Sequence, residues 1–315
     1  MNYADEFSMI VETFEKSGGE ASLLKSNKVA SMVVAGNKIL MKNVVDGIHV
    51  QTRETETGVE VDLTIDDNVK MEYPVHLCFG VVHKKGDQRI ISNYQIGNNV
   101  SVEFMAHCSF PQAEEVRHIM RAEMVIGDNS RVKYSEVHFH GPEGGIEVLP
   151  WAHIKMGKDS VYSSEFRLID GRVGIFDLDY TVDVGENSVT ELNAKLYGKG
   201  TDKIKIKEVI HLNGPASKGI AKSRIVNTEE SSSEVLGEVV GNAPYSRGHI
   251  DCTEIVEGLK ATASAVPLVK VTHPLAKVTH EASIGSVDKQ QMETLMARGL
   301  TENEAIDVIV KGLLN

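Results

Sequence analysis

The sequence predicts a mainly β fold, a solenoid of stacked β coils with a small helical cap at each end of the chain. The first observation is a repeated motif of an apolar residue, glycine, a polar residue and then Asn or Asp, with a strand-like segment after each copy. Successive glycines are 30, 30 and 28 residues apart, at Gly97, Gly127, Gly157 and Gly185. Because Gly and Asn tolerate positive φ, each copy predicts a tight turn, and a period of this length is typical of a solenoid.

The second observation is a change of hydrophobic period near residue 59. From there apolar residues alternate with polar ones, as in a half-buried strand, at Val59, Val61, Leu63 and Ile65. No helical pattern is evident between residues 59 and 280, and Leu212-Asn213-Gly214 is a degenerate further copy of the turn motif. A β-sandwich is the alternative fold, because it also spaces its strands regularly. The regular glycines favour the solenoid.

The N-terminal cap is predicted to begin with one amphipathic helix over residues 4–16. Its apolar stripe has helical spacing, at Phe7, Ile10, Val11 and Phe14. The Gly18-Gly19 pair is expected to end it. We expect three parts in the chain: an N-terminal helical and mixed cap over 1–58, a β-helix core over 59–285 and a C-terminal helical segment over 286–315.

The C-terminal segment is predicted to form two short amphipathic helices. Asp288 is placed to cap the first and Gly299 to stop it, with an apolar stripe at Met292, Leu295 and Met296. A capping box, Thr301-Glu302-Asn303-Glu304, begins the second. Its predicted apolar face consists of Ala305, Val308, Ile309 and Leu313. Such helices either pack on their own domain or present a face to a partner.

Composition excludes several function classes. The chain has 315 residues and a formal net charge of −12, which argues against nucleic-acid binding and against adsorption to an anionic membrane. We see no signal peptide and no apolar run approaching ~18 residues. The three cysteines are far apart and odd in number, at Cys78, Cys108 and Cys252. We therefore expect a cytoplasmic protein with reduced thiols.

Few residues in the body of the chain suggest chemistry. Cys108 and Cys252 each fit either a buried structural cysteine or a functional thiol. His138 and His140 lie two residues apart and face one side of a strand, as a metal pair or, in the favoured interpretation, as a solvent-facing polar pair. Lys155, on the next strand, could line the same interior. There is no phosphate-binding loop and no Cys-x-x-Cys pair, so neither ATP binding nor a preformed ferredoxin-like or zinc-ribbon site is expected.

A second hypothesis from a different class is a β-helix carbohydrate-active enzyme. It requires acidic and basic side chains clustered on one solenoid face. The available candidates do not form a convincing set, at Glu165, Asp177, Asp179 and Asp183.

Three segments carry a resemblance to a known family. Pro74-Val75-His76-Leu77 is the first, and Cys108-Ser109-Phe110-Pro111 followed by Val132-Lys133-Tyr134-Ser135 is the second. The third and most specific matches at His280, Glu281, Ala282, Ser283, Gly285, Asp288, Gln291, Arg298, Gly299 and Leu300, with Cys252 lying 28 residues before His280. Over roughly residues 70–315 the chain resembles the SufB/SufD family, the scaffold proteins of iron–sulfur cluster assembly. It is most similar to a short SufB-like protein, because it has both Cys108 and Cys252.

The resemblance implies a right-handed parallel β-helix flanked by helical caps, and a scaffold, not an enzyme. Sulfur would be accepted on Cys108, pass through the interior near His138, His140 and Lys155, and reach Cys252. His107, beside Cys108, or a basic interior residue could favour the thiolate, whereas Cys78 is interpreted as structural. Iron and sulfide would form a transient cluster on Cys252, His280 and Glu281 at a dimer interface, since these supply soft, borderline and hard ligands.

The resemblance also implies partners. The chain would pair with itself or with a paralogue, receive sulfur from a donor and pass the cluster to recipient apo-proteins. A SufC-type ABC ATPase would bind the C-terminal helices, and the residues expected to contact it are Leu295, Val308, Ile309 and Leu313. The alternative within the family is a SufD-like structural partner without sulfur chemistry.

Overall fold

The computed structural model of the protein describes residues 2–16, 19–24 and 26–314. Within these ranges the elements, in chain order, are α1 (Tyr3–Lys16), α2 (Ala21–Leu24), β1 (Ser31–Ala35), β2 (Lys38–Asn43), β3 (Ile48–Glu54), β4 (Gly58–Ile65), β5 (Val75–Gly80), β6 (Lys85–Ile96), β7 (Ser101–Phe110), β8 (Glu115–Ile126), β9 (Arg131–His140), β10 (Ile146–Met156), β11 (Val161–Asp170), β12 (Gly174–Val184), β13 (Val189–Gly198), β14 (Lys203–Leu212), β15 (Lys218–Thr228), β16 (Ser232–Gly241), β17 (Arg247–Glu257), β18 (Thr262–Val271), β19 (Lys277–Gly285), α3 (Lys289–Met296) and α4 (Glu302–Leu314).

The strands wind into a solenoid of about eight turns, which confirms the predicted fold. Each turn gives one strand to each of two facing sheets. The first sheet has the order β19-β17-β15-β13-β11-β9-β7-β5-β1-β2, and the second the order β18-β16-β14-β12-β10-β8-β6-β4-β3. Strands of successive coils pair in parallel, whereas β1 with β2 and β3 with β4 pair antiparallel at the N-terminal end. The apolar core fills the space between the two sheets.

The repeated motif forms the turn from the second sheet to the first, as predicted, but its two signature residues act differently. Positive φ is adopted by the last residue of each copy, at Asn99, Asn129, Asp159 and Asn187. The glycine is needed for close stacking instead. A Cβ on Gly127 would lie 2.6 Å from the carbonyl oxygen of Gly97 in the coil beneath. Leu212-Asn213-Gly214 continues the series as a longer turn, in which Ala216 has φ 56°.

A ladder of buried serines, which follows directly after these turns, was not predicted. The hydroxyl of Ser160 donates to the carbonyl of Gly127 at 2.7 Å and accepts the backbone N–H of Ser130 at 3.2 Å. Ser188 repeats both contacts one coil further on. The ladder satisfies turn backbone groups that the stacked coils remove from water.

Helix α1 is confirmed and packs on the outer face of the first sheet. Ile10 and Phe14 are buried against β1 and β5, and Cys78 lies beneath them. Gly18, half of the predicted helix stop, lies outside the described residues.

At the C-terminal end the predicted caps of α3 and α4 are confirmed. Asp288 accepts the N–H of Gln291, Gly299 follows α3 with φ 102°, and Thr301 and Glu304 form the capping box. The predicted face of α4 is only partly correct, because Val308 is 48% exposed. Among the described residues of α4, Ala305, Val310 and Leu314 are fully buried, and Val310 and Leu314 form one cluster with Val226 of β15.

The solenoid is open at its C-terminal end. Strands β18 and β19 are edge strands in the described chain, and no further coil covers them. Large apolar side chains are therefore exposed in and around this coil, at Val266, Leu268, Val269, Val271, Leu275 and Ile284. Within the described ranges, no helix is both long enough and apolar enough to span a membrane.

Candidate functional site

Cys108 points into the solenoid, on the opposite face of β7 from His107. Alternation along β7 directs Cys108 inward, where it is 1% exposed, and directs His107 outward beneath α1. The ring of His107 packs on Phe14, with centroids 4.4 Å apart. Of the two expected activators of the Cys108 thiol, His107 is therefore wrong, and a basic interior residue remains. Burial, and secondarily the nearby Glu136, raise the pKa of the Cys108 thiol well above its ordinary value, so the resting group is a neutral thiol.

Two interior histidines lie close to the Cys108 thiol. His118 comes from β8 of the facing sheet, and His138 is the register partner of Cys108 on β9. The sulfur and one ring nitrogen of each histidine all lie within 4.8 Å of one another. His118 was missed by the sequence reasoning, although it shares its strand parity with the buried Val116 and Met124.

Two expectations about which side chains face the solenoid interior need correction. His138 and His140 are 2% and 3% exposed, so the solvent-facing interpretation is wrong. They share the inward face of β9 with the buried Glu136. Lys155, in contrast, is an exposed residue on the outer face of β10 and does not line the interior.

Hydrogen bonds connect these inward residues in a chain whose direction can be assigned. The carbonyl of Arg172 can only accept, so Nδ1 of His140 donates to it at 3.1 Å. Nε2 of His140 then accepts from Nδ1 of His138 at 3.1 Å. This leaves Nε2 of His138 to accept from Glu136 at 2.8 Å. The assignment requires a protonated Glu136, and burial does raise the pKa of Glu136 to about 8 while it lowers the pKa of His138 to about 3.

His118 differs from its neighbours because it is buried without hydrogen bonds. It is 0% exposed, and neither ring nitrogen has a hydrogen-bond partner among the residues that the structure describes. Its ring packs on Phe110 with centroids 4.8 Å apart. Burial lowers the pKa of His118 well below its ordinary value, so the imidazole is neutral and one nitrogen carries an unused lone pair.

Cys252 forms a second interior centre near the open end. It is 2% exposed on β17, and Glu254 lies two residues further along the same inward face. The Cys252 Sγ donates to Glu254 Oε1 at 3.8 Å, and Ser233 donates to the other carboxylate oxygen. Burial raises the pKa of Cys252 to about 11 and also raises the pKa of Glu254. Glu254 was not predicted as a site residue; its shared parity with Cys252 was the available signal.

His280 and Glu281 lie on β19, next to β17, but on different faces. Ala282 pairs with Cys252 and His280 pairs with Ile250, so His280 shares the inward face of Cys252. Glu281 pairs with Asp251 and points to the other face. Both residues are exposed at the open end. Within one chain, the fold therefore brings Cys252 and His280 onto one face and leaves Glu281 on the other.

A register column connects the surroundings of the two cysteines. Paired residues from β9 to β17 stack in the order Glu136, Phe166, Ala194, Ser223 and Cys252. At about 4.8 Å per strand this column spans roughly 19 Å. Its middle is apolar, and a cavity of about 40 Å³ lies at the Glu136 end, lined in part by Met120, Ala122 and Tyr162.

The residues expected to contact a partner meet in one groove. It has a volume of about 980 Å³ and lies between the ends of β17 and β19 and the helices α3 and α4. All four residues line it: Leu295, Val308, Ile309 and Leu313. Glu254, whose carboxylate contacts Cys252, also lines this groove. The groove therefore lies next to the Cys252 centre.

The acidic set of the carbohydrate-enzyme hypothesis is not brought together. Glu165 lies on β11 in one sheet, whereas the aspartates lie on β12 in the other. Asp179 pairs with Lys207 at 3.1 Å, and Asp183 pairs with His153 and His211. These carboxylates serve as surface ion-pair partners.

Fold and site together define a β-solenoid protein with two interior thiol centres, each provided with nitrogen or oxygen ligands suited to sulfur and transition-metal chemistry. The SufBD core domain of SUF system FeS cluster assembly matches residues 93–313. An iron–sulfur cluster assembly SufBD family protein of Pyrococcus horikoshii is 37% identical over 314 residues, which cover 100% of this chain and 95% of the relative. One of Methanocaldococcus jannaschii is 34% identical, covering 100% and 99%. The chain therefore belongs to the SufBD family of iron–sulfur cluster assembly proteins.

A longer family protein of Pyrococcus horikoshii is 28% identical over 256 residues, which cover 80% of this chain and 56% of that protein. The full-length matches are thus to proteins of similar size.

Proposed function

We propose that the chain is a scaffold of the SUF system, and not an enzyme, on which a nascent iron–sulfur cluster is built at Cys252 and His280. The observation that carries the proposal is the register of β17 and β19, which places this thiol and this imidazole on one face at the open end of the solenoid. The thiolate and imidazole are soft and borderline iron ligands. Glu254 supports the site as the nearest carboxylate, because it contacts Cys252 and faces the groove.

Sulfur enters at Cys108 in this proposal. The Cys108 thiolate attacks the outer sulfur of a donor persulfide, so that the donor S–S bond breaks, a new S–S bond forms on Cys108 and the donor leaves as a thiolate. The Cys108 proton must first leave, and the nearby base with an unused lone pair among the described residues is His118. Cys252 is the proposed destination of this sulfur: its thiolate attacks the outer sulfur of a persulfide, the persulfide S–S bond breaks, a new S–S bond forms on Cys252 and the former carrier leaves as a thiolate.

The open end of the solenoid is the proposed dimer surface, for a second copy or a paralogue. Its edge strands and exposed apolar residues, among them Val269 and Ile284, require cover. Pairing there would enclose Cys252 and His280, and would let Glu281 of either protomer join the cluster from the rim. A cytoplasmic location is part of the same proposal, since reduced thiols are needed.

An ABC-type ATPase of the SufC kind is the proposed partner of the groove between β17, β19 and the C-terminal helices. Helix α4 attaches to the solenoid through residues such as Val310, while Val308 stays half exposed at the groove. One helix thus has both an attachment face and an accessible apolar face. Nucleotide-driven movement of this helix would act next to Glu254 and Cys252.

The test of sulfur entry is mass spectrometry of the intact reduced protein after incubation with a persulfide donor. We expect one added sulfur on Cys108 and none on Cys78, which is buried under α1 and serves as the matched control. Sulfur on Cys78 alone would show the assignment to be wrong.

The test of cluster building is anaerobic reconstitution with iron and sulfide, with and without the ATPase. We expect Cys252→Ala and His280→Ala to fold normally and to lose most of the visible absorption of the cluster, while Cys78→Ala retains it. Equal cluster yields in all variants and in the parent protein would contradict the scaffold proposal.

A SufD-like structural role is the second candidate function. The observation that favours it is the burial of both thiols, which raises the pKa of each above its ordinary value. This role predicts no sulfur uptake and no cluster in the same two experiments, together with normal pairing to a paralogue.

A further inference from the structure

The interior group formed by Cys108, His118 and His138 has the composition and spacing of a metal site of its own. The three ligand atoms lie within 4.8 Å of one another, and each residue comes from a different strand: β7, β8 and β9. Cys252 lies on β17, at the far end of the solenoid, so this group is separate from the proposed cluster site. The rigid sheets fix the backbones of all three residues.

His118 is the observation that points to a ligand. A buried polar group without a hydrogen-bond partner is destabilising, because it has lost its contacts with water and gained none in the protein. Both ring nitrogens of His118 are in this state among the described residues, although the ring faces His138, with centroids 5.9 Å apart. A metal ion bound to one of these nitrogens would satisfy it in place.

One of the two histidines, His138, also has the outer contacts that metal ligands typically have. A ligating histidine usually holds a carboxylate or a backbone carbonyl with its second nitrogen. His138 hydrogen-bonds to Glu136 through one ring nitrogen and to His140 through the other, so a metal ion would replace one of these contacts and the other would still orient the ring. His118 has no such contact, so its orientation is set by packing on Phe110.

The donor set selects the type of ion. One thiolate and two imidazoles suit borderline or soft transition metals and do not suit Mg²⁺ or Ca²⁺, which prefer oxygen. The thioether of Met120 adds a further soft atom, since its sulfur lies 4.0 Å from the Cys108 sulfur.

We propose that Cys108, His118 and His138 bind one borderline divalent transition-metal ion, of the Fe²⁺, Co²⁺ or Zn²⁺ kind, in the interior of the solenoid. On binding, the sulfur–hydrogen bond of Cys108 breaks, a sulfur–metal bond forms and one proton is released, with no change of oxidation state. The ion then occupies the thiol that is the proposed point of sulfur entry. The inference rests on the three side chains and does not require the proposed function.

The experiment is an anaerobic titration of the reduced full-length protein with Co²⁺, followed by the near-ultraviolet sulfur-to-cobalt charge-transfer band. The Cys252→Ala variant is the starting protein, so that the other thiol centre contributes no sulfur ligand. We expect one equivalent of Co²⁺ to produce the band. Cys108→Ala, added to that variant, abolishes it, and His118→Phe weakens Co²⁺ binding at least about tenfold.

The matched control is His76→Phe. His76 is also buried and also lacks hydrogen-bond partners on both ring nitrogens within the described residues, but it lies on the outward face of β5 under α1. We expect His76→Phe to leave the Co²⁺ band unchanged. Circular dichroism establishes folding of each variant, and Cys108→Ser provides a second loss-of-ligand variant with little change in volume.

Two results overturn the metal-site proposal. One is absence of the band in the folded Cys252→Ala protein, and the other is an unchanged Co²⁺ affinity in folded His118→Phe. Persulfide uptake by Cys108, measured on the metal-free protein, is a separate readout. Absence of persulfide uptake would contradict the proposed function without affecting the Co²⁺ result. Absence of Co²⁺ binding would contradict the metal site without affecting the proposed function.

Discussion

Glu208 provides a test of whether burial in the solenoid interior keeps a carboxyl group protonated. It projects inward from β14 and is 3% exposed, and burial raises its pKa from 4.5 to about 8. Its register partner on β12 is Tyr180, a neutral phenol. The folded protein therefore retains a proton on Glu208 that the unfolded chain loses above about pH 4.5.

The sign of the effect follows from proton uptake. Between pH 4.5 and 8 the folded state binds more protons than the unfolded state, so the free energy of unfolding decreases as pH rises. One such carboxyl contributes about 1.4 kcal/mol per pH unit within this window. Replacement by the neutral amide in Glu208→Gln removes this dependence. We expect nearly equal stabilities at pH 5, and a variant more stable than the parent by up to about 4 kcal/mol at pH 8.

The measurement is equilibrium chemical denaturation of both proteins at pH 5, 6, 7 and 8. Glu136, whose pKa is also raised to about 8, should leave part of the slope in the variant. Glu234→Gln, at an exposed position on β16, is the control and should reproduce the parent slope. Parallel pH profiles for the parent and Glu208→Gln would refute the reasoning, and so would a variant that is less stable at pH 8.

Three further predictions concern the groove and the turns. Val308→Glu introduces a charge at an apolar groove position that is 48% exposed, so we expect loss of ATPase co-purification without unfolding. The control, Val44→Glu at a residue 47% exposed, should not affect co-purification. Retained ATPase binding by Val308→Glu would reject the groove as the partner site. Gly127→Ala would place Cβ 2.6 Å from a backbone oxygen and should cost about 1–3 kcal/mol of stability in denaturation, whereas Gly285→Ala, with nothing within 4 Å, should cost little. Ser160→Ala leaves the buried N–H of Ser130 without its acceptor, so we expect the free energy of unfolding to fall by about 1–3 kcal/mol. The control Ser264→Ala, at an exposed position, should lower it by almost nothing, and equal losses would contradict the stabilising role of the serine ladder.

Much of the architecture was predictable because local signals were strong and repeated. The turn motif, the period-two strands and the helix caps at Asp288 and Thr301 are all encoded within a few residues of the features they specify. The predicted role of α4 was less accurate. Its apolar residues occupy more than one stripe, and only docking on β15 decided that Val310 is buried and Val308 accessible.

The candidate site was predictable in its residue types and much less in its geometry. Alternation shows that His138 and His140 share a face, but it does not show which face is inside. The same limit applies to Lys155, which lies on the exposed side of β10. Glu281 was grouped with its neighbour His280 by sequence, and the period of two separates them onto opposite faces of β19.

The sequence by itself determined the coil repeat, the cap helices and the family signature, since each depends on short-range conformational preferences or on motif residues that lie close together. Only the tertiary structure decided the interior. Stacking in register brings residues about one coil apart into contact, so that Cys108 meets His138 of the next coil and His118 of the facing sheet. It also leaves the last coil open. These contacts depend on the register and facing of two sheets, which no local pattern in the chain specifies.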